Sequence, residues 1–301
     1  MTNNWRKKEI LGVSVDFGLN KSAFLGLVKK AVDDKLGAYV CTVNPEFIMS
    51  AQSDIEFRTA LNESYLNVPD GSGVLMADKY LSLVEKYDSD SILSGFLTKS
   101  TAGLKIGLGS LFNKNTLDPK ISGSDIIYDI CDLAQKSSYT VLFLGGWKKD
   151  VLGRPLSKSP NIAKQAAAVL MQKLPNLKVV FASSEIDSSL DQDEKSLNLI
   201  KQAMEEKNLS HIDIVFAAFG HRKQELWLRR NLQKIPASFG IGVGGAFDFV
   251  SGHVKRAPIF MTMLHLEWLY RLIRNPWRVK RILTAFPIFP LRVFIQSIKG
   301  R

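Results

Sequence analysis

The 301-residue chain is 46% hydrophobic and 23% charged with a formal net charge of +11, which excludes disordered and fibrous classes and leaves room for one large domain or two smaller lobes. Two cysteines, Cys41 and Cys131, exclude a disulfide framework and a Cys-rich zinc site and point to a reducing, cytoplasmic compartment. Asp16 interrupts the apolar run behind the basic N-terminus, so no signal peptide is expected, and no stretch reaches the roughly 18 to 20 apolar residues of a membrane span.

Residues 10–17 (ILGVSVDF) and 39–43 (YVCTV) read as strands, and residues 21–33 between them carry Phe24, Leu25, Val28 and Val32 at helical spacing. Asp54 opens a predicted helix to Asn62, Tyr65–Val68 reads as a short strand, and Ser72–Lys86 reads as a helix behind the turn Pro69-Asp70-Gly71. Residues 88–119, containing STAGLKIGLGSLFNKN, lose the pattern and suggest a long loop or insertion over the site. Ser124 is expected to cap a helix to Lys136, followed by a strand over Tyr139–Leu144 and the turn Gly145-Gly146. Three more units follow, with helices near 160–173, 193–207 and 222–232 leading to strands at 177–182, 212–217 and 238–242.

This alternation predicts an α/β fold, a Rossmann-like, mainly parallel sheet with helices on both faces and ligands bound beyond the carboxyl ends of the strands. The core is expected over residues 1–256 and a basic, helical, membrane-associating appendage over 257–301. Helix resumes near Pro258 and carries Met261, Leu264, Trp268, Leu269 and Leu272 to one side, and Pro276, Pro287 and Pro290 break the rest of the appendage into short pieces. From residue 251 onward ten Lys and Arg face one acidic residue, Glu267, so most of the net charge lies here. Arginines mixed with aliphatics, and no nucleic-acid motif, argue for an anionic membrane surface over nucleic acid.

Chemistry-bearing residues collect at the predicted strand ends. Asp70 suits a general base, with a turn or helix-capping Asp as the alternative. Asn44 suits recognition of a sugar hydroxyl, or an Asx turn into the next helix. Gly145 and Gly146 could admit a diphosphate but lack the G-x-G-x-x-G spacing, so no nicotinamide site is assigned. Phe219 to Trp227 (FGHRKQELW) crowds polar groups before a helix N-terminus, or is a charged helical turn. Gly242 to Phe249 joins Gly244 and Gly245 to Asp248, as a surface for a planar ligand or as a tight loop over core Phe rings. His211, His253 and His265 have no metal-ligand spacing, so no metal or cofactor is expected.

Taken in order, Thr42-Val43-Asn44, Pro69-Asp70-Gly71, Ser122-Gly123-Ser124-Asp125, Lys223-Gln224-Glu225-Leu226-Trp227, Gly242 to Gly252 (GVGGAFDFVSG), Lys255 to Pro258 (KRAP) and Leu266 to Leu272 (LEWLYRL) resemble the motifs of the WecG/TagA/CpsF family of bacterial glycosyltransferases over about residues 10–285. The resemblance implies an inverting, metal-independent enzyme, peripherally bound to the inner face of the plasma membrane. It would take a UDP-sugar, typically UDP-N-acetylmannosamine or its uronic acid, to an undecaprenyl-diphosphate-linked N-acetylglucosamine in cell-surface polysaccharide or teichoic acid synthesis. UDP-glucose or another hexosyl donor is the alternative, and a noncatalytic anionic-lipid or nucleic-acid binding protein is the rival class. Carried over, Asp70 resembles the family's base, Thr42 and Asn44 line the pocket, Gln224 and Asp248 match polar site positions, and Arg271, Arg278 and Arg281 match arginines of the appendage. Self-association that displaces this appendage is a further implication. Two positions depart from the pattern: Lys120 replaces an arginine and loses its bidentate fork, and His221 stands where a small residue or proline is usual.

Overall fold

The computed structural model describes residues 5–85, 99–103, 123–146, 160–254, 261, 270, 272–273 and 279–299. The chain opens with an antiparallel hairpin, β1 (Arg6–Ile10) and β2 (Val13–Phe17), where one strand is expected from residues 10–17. Leu11 and Gly12 both have positive φ, 50° and 78°, as a two-residue hairpin turn with the twist of its strands requires. The hairpin does not enter the main sheet. It is fixed beside it by Asp16, a buried carboxylate that accepts from the backbone N–H of Asn67 at 2.8 Å and from Trp5 Nε1 at 2.9 Å.

Among the described residues the main sheet has six strands, all parallel: β3 (Ala38–Val43), β4 (Leu66–Pro69), β5 (Thr140–Gly145), β6 (Lys178–Ser183), β7 (Ile212–Ala218) and β8 (Ala237–Gly242), in the order β4-β3-β8-β7-β5-β6. The connecting helices are α1 (Lys21–Asp33), α2 (Pro45–Ser50), α3 (Ile55–Asn62), α4 (Ser72–Val84), α5 (Gly123–Ser137), α6 (Ile162–Lys173), α7 (Asp193–Glu205) and α8 (Lys223–Asn231), with the short α9 (Ala246–Val250) after β8. Asx side chains start four of them: Asn20, Asn44, Asp54 and Asn161 each accept from the backbone N–H three residues on. The elements agree with the expected pattern within a few residues. The exceptions are α2, which was not expected as a helix, α5, which begins at Gly123 rather than at a Ser124 cap, and the region 88–119, of which only the helical residues 99–103 are described.

Alternation along the strands divides the interior into two cores, one on each sheet face. Val40, Val141, Phe143, Ile214, Phe216, Phe239 and Ile241 face α1, α5, α6 and α9. Cys41, Val43, Leu142, Leu144, Val215 and Ala217 face α2, α3, α4, α7, α8 and the hairpin. After β3 the chain passes to this second face through α2 and α3, whereas after β8 it passes to the first through α9. The carboxyl ends of the adjacent strands β3 and β8 therefore diverge, which is the topological switch point where open α/β sheets form their ligand crevice.

The C-terminal segment comprises α10 (Val279–Leu283), a π-helical stretch Thr284–Ile288 and α11 (Phe289–Lys299). Its stretch Arg281–Ile298 has the length and composition of a membrane-crossing helix, against the expectation that no stretch does, although Arg281 and Arg292 interrupt the apolar run. The backbone is broken at Phe286 (φ −157°, ψ 120°) before Pro287, whereas Pro290 lies in the first turn of α11, where proline is tolerated, and breaks nothing. Only Phe289 and Val293 of this stretch are buried. They join the second core, and Gln296 Oε1 accepts from the Leu11 N–H at 3.2 Å, Ser297 Oγ lies 2.9 Å from Tyr80 Oη and the Ser297 carbonyl accepts from Lys99 Nζ at 2.6 Å. Lys99 thus ties the described part of region 88–119 to α11. The helix expected near Pro258 and the break at Pro276 lie outside the described residues.

Candidate active site

Asp70 follows β4 directly, and its backbone N–H donates to the Val43 carbonyl at 2.7 Å, which sets it beside Asn44 at the crevice edge. It is half-buried, and the N-cap position of α4 belongs to Gly71, whose φ of 95° suits only glycine. Gly73 carries the second reason for the sequence of this turn, since a Cβ there would stand 2.8 Å from Pro45 Cγ. The first turns of α2 and α4 pack together, with Asn44 and Asp70 at their mouths.

Asn44 takes the structural role open to it. Its Oδ1 accepts from the Phe47 N–H at 3.1 Å as the α2 cap, which leaves the amide nitrogen as the end suited to a ligand. Thr42 is buried and its hydroxyl donates to the Gly242 carbonyl at 3.4 Å, bridging the two strands that bound the crevice.

Gln224 is 1% exposed, and its amide is committed to the protein. Oε1 accepts from the Gly244 N–H at 2.9 Å and the Gly220 N–H at 3.3 Å, and Nε2 donates to Glu225 Oε1 at 2.7 Å. Gln224, expected at a polar site position, thus sits as a clamp between the loops after β7 and β8. Gly242 is explained the same way, because an added Cβ would lie 2.5 Å from Gln224 Nε2 and 2.8 Å from Glu225 Oε1. Gly244 and Gly245 keep open space beside them, apart from Asp248 Oδ2 at 3.5 Å from a Cβ at Gly245, and the partly exposed Asp248 sits in the first turn of α9 at this rim.

Gly145 and Gly146, weighed between a diphosphate turn and a plain strand-to-helix turn, have a packing role. A Cβ at Gly145 would meet the Phe219 ring at 2.8 Å and the Ala218 backbone at 2.9 Å, and one at Gly146 would meet Phe247 at 3.1 Å. Ser184 Oγ caps the turn, 2.9 Å from both carbonyls. The glycines make room for protein atoms.

His221 lies under this site, its ring between Phe47 and Phe57 at centroid distances of 4.7 and 5.2 Å and its Nε2 3.0 Å from Ser50 Oγ. Burial holds its pKa below the ordinary imidazole value, with Glu46 opposing and Arg281 and Arg222 reinforcing the shift. Arg222, at φ 68°, pairs with Asp54 and Glu56 and so joins the N-termini of α8 and α3; Arg222 holds the Asp54 carboxyl below the usual range. Arg281 is bound by Glu46 through Nε and Nη2, both 2.5 Å from Oε2. This appendage arginine, expected to face a ligand diphosphate, is therefore paired on the first turn of α2, two residues from Asn44. Lys120, Arg271 and Arg278 lie outside the described residues.

Two participants carry no signal of their role in the local sequence pattern. Glu46 is recognisable only through its pairing with Arg281, 235 positions away. Glu225 is fully buried, and burial pushes its carboxyl up to about 8, partly offset by the Gln224 amide and by backbone N–H groups of the first turn of α8. Its place three residues after Arg222, which offers no capping side chain, marks it only as a first-turn acid. Among the described residues, no three His, Cys, Asp or Glu side chains gather as metal ligands.

The sequence profile described as the glycosyl transferase WecG/TagA/CpsF family matches residues 8–106 and 99–301. The chain is 31% identical to the N-acetylglucosaminyldiphosphoundecaprenol N-acetyl-beta-D-mannosaminyltransferase of Bacillus subtilis (strain 168), over 92% of this chain and 88% of that protein. It is similar to proteins of the same description from Bacillus spizizenii, 26% identical over 84% and 77% of the two chains, and from Staphylococcus aureus (strain MW2), 23% identical over 97% and 93%.

Proposed function

Because the chain belongs to the WecG/TagA/CpsF family of glycosyltransferases and is a hexosyltransferase, we propose that it moves N-acetylmannosamine from a UDP-sugar to N-acetylglucosamine on undecaprenyl diphosphate, with inversion at the anomeric carbon and no metal. The observation that carries this reading is the half-buried Asp70 beside Asn44 and Thr42 at the β3–β8 crevice. The acceptor hydroxyl gives its proton to the Asp70 carboxylate as its oxygen attacks the anomeric carbon. The bond from that carbon to the UDP oxygen breaks, and UDP leaves with the electron pair. The Asn44 amide nitrogen holds a sugar oxygen, and Gly244, Gly245 and Asp248 form the opposite wall.

Arg281, with Arg271, Arg278 and Lys120, supplies the positive charge that a departing diphosphate needs, and arginine's planar fork suits it. A diphosphate oxygen takes the place of Glu46 on Arg281 when the lipid-linked acceptor arrives. Residues 1–256 are the catalytic core and 257–301 the appendage. The appendage holds the enzyme on the inner face of the plasma membrane through the exposed Leu283, Phe286, Ile288, Leu291 and Ile298 and the surrounding basic residues.

The test is UDP release from UDP-N-acetylmannosamine with a short-chain lipid-diphosphate N-acetylglucosamine acceptor. General-base assistance contributes about 10²- to 10⁴-fold, so Asp70→Asn lowers turnover by that order with the fold intact; turnover within about threefold of the parent removes Asp70 from the role.

A further inference from the structure

Glu225 is a carboxyl with 0% exposure whose Oε1 accepts from Gln224 and which otherwise meets only backbone N–H groups at the start of α8. Such a group costs stability, and an apolar side chain of similar volume would avoid that cost. What Glu225 does provide is direction. A glutamine amide is nearly symmetric in shape, and Gln224 must present its oxygen, not its nitrogen, to the N–H groups of Gly220 and Gly244. A carboxyl oxygen facing the other end accepts from Nε2 and fixes that orientation. Gly242 is bare so that both side chains fit beneath β8, and Thr42 bonds the carbonyl of the same glycine.

We propose that Glu225 is a positioning residue for the sugar transfer: by orienting the Gln224 amide it sets the loops after β7 and β8 that form the donor side of the crevice. This rests on the crevice being the transfer site, as argued above.

The experiment compares the full-length enzyme with Glu225→Met and Glu225→Gln, following hydrogen exchange in peptides that cover Gly220 and Gly244 and UDP-release kinetics at varied UDP-N-acetylmannosamine. In Glu225→Met, loss of the fixed amide opens both loops, raising their exchange and the donor KM about tenfold, the scale of one or two net hydrogen bonds, while kcat stays within about threefold. Glu225→Gln retains a carbonyl acceptor and restores both readouts. Wild-type loop protection in Glu225→Met, or a Glu225→Gln variant as impaired as the Met variant, overturns the proposal. Loosened loops with an unchanged donor KM overturn the positioning role, and if Asp70→Asn is also fully active the crevice itself is misassigned; an inactive Asp70→Asn beside unresponsive loops overturns the positioning role alone. If Glu225→Met does not fold, Gln224→Leu, which removes the oriented amide itself, must produce the same paired changes in exchange and KM.

Discussion

Replacing Glu225 by glutamine removes a titratable proton while keeping the shape of the side chain, so it isolates the electrostatic cost of this buried acid. Burial raises its pKa from 4.5 to about 8. An acid with a raised folded-state pKa holds its proton in the native protein after the unfolded chain has lost it, so stability is full below pH 4.5 and falls as the pH rises toward 8. Within that window the loss is about 1.4 kcal/mol per pH unit. Between pH 5.5 and 7.5 the parent therefore loses about 2 to 3 kcal/mol that Glu225→Gln does not. At a few degrees per kcal/mol for a chain of this size, the Tm difference between the two proteins shifts by roughly 5 °C in favour of the variant. Calorimetric melting of both proteins at half-unit intervals measures it, with every other ionisable group common to the pair. A difference that stays flat across this range refutes the assignment of Glu225 as a neutral buried acid.

Gly242→Ala forces a methyl against Gln224 Nε2 at 2.5 Å and Glu225 Oε1 at 2.8 Å; both side chains are fully buried, so urea unfolding should register a loss of about 1 to 3 kcal/mol, and an unchanged midpoint contradicts the close packing of α8 on β8. Arg281→Gln breaks the partly exposed pair with Glu46, worth up to about 1 kcal/mol, and should speed tryptic cleavage at Arg292 up to about fivefold; equal cleavage rates mean the pair does not hold the appendage down. Liposome flotation should require residues 258–301 and weaken as salt rises from about 0.05 to 0.5 M, and binding that survives removal of this segment places the membrane contact elsewhere.

The main sheet is legible because its strands are buried on both faces and separated by amphipathic helices, a pattern carried by consecutive residues. The hairpin is not, since hydrophobic alternation runs from Ile10 through the turn at Leu11-Gly12 into Val13 and Val15, and only the positive φ at both turn residues separates the strands. The six-residue α2 is too short to show a period, and its one local mark is the Asn44 cap, equally readable as an Asx turn.

The same division runs through the site. The Asp70 turn is legible because local geometry selects its neighbours: Gly71 for its positive φ and Gly73 for its contact with Pro45. Gln224 is visible as a polar residue at a strand exit, but its inward direction depends on a glycine 18 positions later, Gly242, and on an acid beside it that helical periodicity marks only as a first-turn residue. Arg281 shows its charge in the sequence but not its partner. α2 brings these non-local dependences together: Asn44 begins it at the crevice, Glu46 receives the appendage, and Ser50 meets His221 beneath α8. An element of six residues thus couples the rim beside Asp70 to the C-terminal segment. That coupling is invisible to periodicity because the contacts of Glu46 and Ser50 join residues far apart in the chain.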